Sequence, residues 1–167
     1  MANVSCKIQL IFLFMLIYAT HYAQEKNNGY FAIPKVGIYN MVGTAFSFEG
    51  GALKNNSLVG LSYSRTRELF GQNLTNSLDM TIGKFKTQNS SSFVHAQAGI
   101  GIIWGETWET EKGVTESFSK VCLPLKVGFK YIPPHFVSVG IDFQININSE
   151  ASMCMIMLTM GVWHLNE

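Results

Sequence analysis

FVSVGIDFQININ, residues 136–148 of the 167-residue chain, alternates without a break. Val137, Val139, Ile141, Phe143, Ile145 and Ile147 occupy one phase, and Ser138, Gly140, Asp142, Gln144, Asn146 and Asn148 the other. Successive side chains of a strand point to opposite faces, so this segment is predicted to be a strand with one apolar and one polar surface. A soluble barrel or sandwich turns the apolar surface inward, whereas a membrane barrel turns it outward against lipid. Which surface is enclosed decides the fold class.

Glycine placement separates the two. Gly60 shares a phase with Ser62 and Ser64, opposite Val59, Leu61 and Tyr63. Gly83 goes with Asp79 and Thr81, Gly99 and Gly101 with His95 and Gln97, Gly128 with Lys126 and Lys130, and Gly140 with Asp142. A glycine weakens a strand and is expected where something approaches closely. A solvated surface has no such crowding, but the inside of an eight-stranded barrel is only just wide enough for its side chains. The polar face is therefore predicted to be the enclosed one. The alternative is a soluble barrel or sandwich whose glycines mark bulges.

Eight strands are predicted, at 30–39, 43–53, 57–66, 76–86, 92–105, 118–131, 136–148 and 152–164. No stretch sustains the 3.6-residue period of an amphipathic helix. Several runs exceed the roughly 5–6 residues usual in soluble strands and suit the roughly 9–11 that cross a bilayer at a tilt. Eight is the smallest strand number for an outer-membrane barrel. The links KNN, TQNSS and PPH after strands two, four and six are short, and RELFGQNLT and ETWETEKGVTES after three and five are longer. That parity fits termini and tight turns on the periplasmic side, although NMV and SEA, after one and seven, are short too. Trp104 and Tyr131 end the fifth and sixth runs on the apolar face, as interface aromatics would. The eighth run, SMCMIMLTMGVWH, is apolar on both phases; Ile156, Leu158, Met160 and Val162 are assigned outward, Thr159 and Gly161 inward.

Residues 1–23 read as a signal peptide, leaving 24–167 as the barrel domain. Lys7 precedes an apolar run that ends at Ala19, and Ala23 is a plausible last residue. The run, about a dozen residues, is short of the roughly 20 a spanning helix needs, an uncleaved anchor being the alternative. His21 at the −3 position departs from the small-residue rule, so the cut could move by a few residues. The chain has 12 Lys and Arg against 11 Asp and Glu, and loss of Lys7 balances them. Such balance offers nothing to nucleic acid or a strongly charged partner. Cys122 and Cys154 remain, too few for a disulfide framework and free to pair or not.

The signal ending in Ala23-Gln24, the hairpin LPLKVGFKYIPPHFVSVGIDFQININ and the final MLTMGVW strand resemble those of small outer-membrane β-barrel proteins, OmpA/OmpX-like in size and of Bacteroidota type. The resemblance implies an eight-stranded antiparallel up-and-down transmembrane β-barrel spanning the whole chain. It implies no single activity, since such barrels host adhesion, envelope-stability and enzymatic roles. Many end on an aromatic residue read by the insertion machinery, whereas Trp163 here is followed by His-Leu-Asn-Glu.

The lumen is predicted to hold Lys126, Lys130, Asp142, Gln144, Asn146, His95, Gln97 and Asp79. If Pro133-Pro134-His135 closes the sixth hairpin, Lys126 falls opposite Asp142 as an interior ion pair, or a diagonal one if the register slips by two. Such polar filling chiefly satisfies buried groups, and eight strands leave too little room for an ion path. Lipid-modifying catalysis needs a hydroxyl nucleophile beside a histidine and an acid. His95, His135 and His164 show no such context, and Glu106, Glu109 and Glu111 read as a solvated loop rather than a cation site. No catalytic residue, cofactor or metal is predicted. Asn55, Asn73 and Asn89 match the glycan-acceptor pattern but are expected simply to make turns.

These readings predict a non-enzymatic protein of the bacterial outer membrane, surrounded by its lipids, with an envelope or cell-surface role. Its contact surface for an extracellular or envelope partner is expected in the loop 105–117, with Trp108 as a contact. The alternatives are a soluble periplasmic lipocalin-like lipid carrier, which needs the apolar faces inward, and a lipid-modifying enzyme.

Overall fold

The computed structural model describes residues 28–69, 73–89, 91–109, 114–132, 137–149 and 152–166. The predicted signal segment lies outside them. Eight strands follow in order: β1 (Asn28–Tyr39), β2 (Gly43–Lys54), β3 (Ser57–Glu68), β4 (Leu74–Asn89), β5 (Ser92–Glu109), β6 (Val114–Tyr131), β7 (Val137–Ile147) and β8 (Met153–Asn166). Each pairs antiparallel with the next, and β8 returns to β1, with Phe31 opposite Trp163 and Tyr39 opposite Met155. Closure removes the exposed strand edges that an open sheet would carry.

Local chemistry accounts for the turns and for two departures from expectation. Asn55 and Asn56 have φ of 49° and 64°, the left-handed pair of a two-residue I′ hairpin, which asparagine tolerates. The predicted loop 105–117 is instead mostly strand, with β5 and β6 paired out to Glu109 opposite Val114. Thr107, Trp108, Val114 and Thr115 favour extended structure. The β6–β7 link is also longer than predicted. Tyr131 pairs with Val139, because Pro133 and Pro134 have no N–H to continue a ladder. This moves the register by two residues.

The faces fall as the glycines imply. Val139, Ile141 and Phe143 are 43–47% exposed, whereas Asp142 and Lys126 are 1% and 0% exposed. On β8, Leu158, Met160 and Val162 point out and Thr159 and Gly161 point in. Crowding explains the inward glycines. A Cβ on Gly128 would lie 1.9 Å from Asp142 Oδ1 and 2.4 Å from His95 Nε2, and one on Gly101 would lie 2.2 Å from Asp79 Oδ1.

On β3 and β4 the outer surface is apolar between two polar limits. Val59, Leu61, Tyr63, Leu78, Met80 and Ile82 are exposed. Ser57 and Lys84, hydrogen-bonded at 2.8 Å, bound this belt at the end where the termini lie, and Arg65 and Asn76 bound it at the other. Eight residue steps cover about 26 Å along the strand, or about 20 Å along the barrel axis at a tilt of about 40°. That is comparable to the apolar band, about 25 Å tall, of an outer-membrane barrel. An apolar girdle around a polar interior inverts the soluble arrangement and excludes a carrier with an oily cavity.

Inside, two apolar layers close the barrel. Phe31, Ile33, Leu53, Leu58, Phe85, Phe93 and Trp163 pack together near the termini. Trp163 stacks on Phe31 at 4.9 Å, meets Phe93 edge-on at 4.8 Å, and donates its indole N–H to Ser138. Toward the opposite end Met153, Met155, Met157, Ala45, Ile103 and Cys122 form the second layer.

Candidate functional site: the sealed lumen

Between those layers lies a polar core drawn from every strand. Its fully buried charged residues are Lys35, Lys126 and Lys130 against Glu49, Asp79 and Asp142, three of each sign among the described residues. The strand alternation that exposes the apolar phase places all six inward, and at mid-strand they are out of reach of water at either mouth.

Asp142 is the hub. Its Oδ1 accepts from Lys130 at 2.5 Å and His95 Nε2 at 3.1 Å, and its Oδ2 forms an ion pair with Lys35 at 2.6 Å. Lys35 also bonds Glu49, and Lys130 donates to Thr159 Oγ1 at 2.8 Å. Gln97 links the groups: its amide N–H donates to Glu49 at 3.1 Å and to His95 Nδ1 at 3.2 Å, and its carbonyl accepts from Thr81 at 2.5 Å. Asp79 is held apart, accepting from Gln144 at 2.9 Å, Ser77 at 3.2 Å, Asn146 at 3.3 Å and the Cys122 thiol at 3.7 Å.

All eight residues predicted to be luminal are buried here. The predicted Lys126–Asp142 pair does not form. Lys126 lies opposite Gln144 and Asp142 opposite Gly128, so Lys130 reaches Asp142 diagonally. Lys126 turns to Ser62 at 2.6 Å and Glu49 at 3.4 Å. Lys35 and Glu49 escaped sequence reasoning because their phases are otherwise Phe31, Ile33 and Gly37, and Ala45, Ser47 and Gly51. A usable signal was present: a charge in the middle of a membrane strand must face the lumen, whatever its neighbours.

Trp104 and Tyr131 lie on the outer face, and the Trp104 ring sits 6.3 Å from that of Tyr63. Cys122 is buried on the inner side and Cys154 exposed on the outer, and both are free thiols. Trp108 lies on β5 opposite Thr115. The Trp108 and His164 side chains, and the whole of His135, are outside what is described.

No protein-family model matches the chain, and no curated protein matches it. Solved structures do. The N-terminal β-barrel domain of Pseudomonas aeruginosa OprF aligns with 84% of this chain and 100% of its own, with TM-score 0.66 and 15% identity. Neisserial surface protein A covers 81% of this chain and 95% of its own, with TM-score 0.63 and 11% identity. The Yersinia pestis attachment invasion locus protein Ail covers 84% of this chain and 100% of its own, with TM-score 0.59 and 16% identity. The fold is that of the small outer-membrane barrels. At these identities the likeness is one of architecture, and the luminal network must be read from this chain's own side chains.

Proposed function

We propose that this chain is a non-enzymatic barrel of a bacterial outer membrane, surrounded by outer-membrane lipids, with an envelope or cell-surface role. It acts through the end of its wall opposite the termini, above all the β5–β6 hairpin, which carries Trp108 and would meet an extracellular or envelope partner. One observation carries this reading: a charge-balanced luminal core capped by apolar layers at both ends. Among the described residues a lumen so filled offers neither a water path nor a ligand cavity, which leaves the outer end as the working surface. The similarity to Ail, an attachment invasion locus protein, is in keeping with a surface role.

The outer membrane enzyme PagL has the same fold, with TM-score 0.51, so the non-catalytic reading rests on His95, the one histidine whose side chain is among those described. His95 is 3% exposed inside the wall, with one ring nitrogen facing Asp142 and the other Gln97. It has no free nitrogen to activate a hydroxyl.

A protease site placed at 110–113 tests orientation and surface role together. Cleavage in intact cells is the expected result. Cleavage only after the envelope is permeabilised would place the hairpin on the inner side and refute the reading. Planar-bilayer recordings should show no steady conductance; a stable pore would refute the sealed lumen.

A further inference from the structure

Arg65 and Arg67 stand on the outer surface of β3 at the end of the apolar belt, and neither forms an ion pair or side-chain hydrogen bond among the described residues. Two arginines left unpaired on a surface meant for lipid call for an explanation. An arginine exposed to acyl chains costs a few kcal/mol at the bilayer midplane and little near the interface. Here the register places both beyond Leu61 and Tyr63, at the interface.

The surroundings suit a lipid rather than a free ion. A groove of about 530 Å³ on the outer wall is lined by Thr44, Phe46, Arg65, Arg67, Leu74 and Glu106. A second cleft of about 680 Å³ adjoins it across Leu74 and Glu106 and is bordered by Asn76 and Trp104. Cross-strand pairing sets Phe46 beside Arg65 and Phe48 beside Tyr63, both phenylalanines about half exposed. An apolar track thus descends from the guanidinium pair into the belt. Among the described residues Glu106 is the one acidic side chain in the groove, so the local charge there stays positive.

We propose that Arg65 and Arg67 clamp a phosphate of a phosphorylated outer-leaflet glycolipid, with its acyl chains lying along Phe46, Phe48, Leu61 and Tyr63. Guanidinium forks match phosphate oxygens in pairs, and such charge-assisted bonds are the strong ones. The leaflet follows from the fold. The two-residue links after β2 and β4 both lie at the terminal end, whereas the links after β1, β3, β5 and β7 at the other end have three to five residues, and the shortest turns face the periplasm in outer-membrane barrels. The arginines lie at the other end. The site rests on the outer-membrane reading and adds a ligand class to it.

The test uses the full-length protein refolded into phosphatidylcholine vesicles carrying diphosphorylated lipid A. Heat-modifiable gel migration confirms insertion, and native mass spectrometry after mild extraction counts the retained lipid. Retention should exceed that of the dephosphorylated lipid and of phosphatidylglycerol by about tenfold or more. The R65Q/R67Q variant should lose that preference. R65K/R67K, which keeps charge without the fork, should keep part of it, and K54Q/K84Q at the opposite rim should keep all of it. Equal retention by R65Q/R67Q, equal loss in K54Q/K84Q, equal binding of phosphatidylglycerol, or displacement by free inorganic phosphate would each overturn the site. Failure of the wild-type chain to insert would instead overturn the membrane reading beneath it.

Discussion

Replacing Asp142 by asparagine tests the luminal network at its hub while keeping size and shape. In the wild type the carboxylate holds Lys130 at 2.5 Å, Lys35 at 2.6 Å and His95 at 3.1 Å, and is itself 1% exposed. The substitution leaves three buried lysines over two buried carboxylates, and Lys130 keeps only neutral acceptors, the Thr159 hydroxyl and the amide oxygen at 142. With apolar layers above and below, water cannot reach the surplus charge. Breaking a buried pair on one side costs about 3–5 kcal/mol. That is roughly two to three and a half orders of magnitude in the folded-to-unfolded ratio. Urea titration of the barrel in lipid vesicles, read by heat-modifiable migration, measures it. Combining D142N with Lys130→Met removes the unpaired cation and should recover more than half of the loss. A loss below about 1 kcal/mol for D142N, or a double variant no better than the single, would refute the coupled-charge account.

Gly128→Ala should prevent or severely impair folding, because its Cβ would meet Asp142 Oδ1 at 1.9 Å, whereas Gly50→Ala, meeting only Phe31 O at 3.8 Å, should fold normally; refolding yields in detergent that match for the two would contradict the crowding. Ile141→Arg should lower vesicle stability by about 2–4 kcal/mol if it lies near the bilayer midplane. An unchanged urea midpoint would show that Ile141 does not meet lipid. In folded protein a small apolar maleimide should label Cys154 and spare Cys122 until the chain is unfolded. Equal labelling of both thiols would contradict their opposite faces.

Much of the architecture was legible in one dimension, because a strand's period of two writes its two surfaces directly into the sequence. Gly60, Gly101 and Gly128 further marked which surface is crowded, since a side chain there would strike Glu49, Asp79 or Asp142. The longer β5–β6 pairing was not legible because glutamates suggest loop, although Thr107, Trp108, Val114 and Thr115 favour extended structure. Lys35 and Glu49 were missed because the apolar and small residues sharing their phases masked single charges.

Alternation, glycine phase and run length were enough to determine an eight-stranded barrel with its apolar surface outward. They also determined that Lys126, Lys130, Asp79 and Asp142 point to the inside, since both are properties of consecutive residues. Which lysine meets which carboxylate was decided only by closure and register. Lys35 on β1 reaches Asp142 on β7 because β8 pairs back onto β1, and Lys130 rather than Lys126 takes Asp142 because the Pro133-Pro134 link is two residues longer in register than its sequence suggests. Partnerships across a closed wall depend on distances between strands far apart in the chain, and no local period carries them.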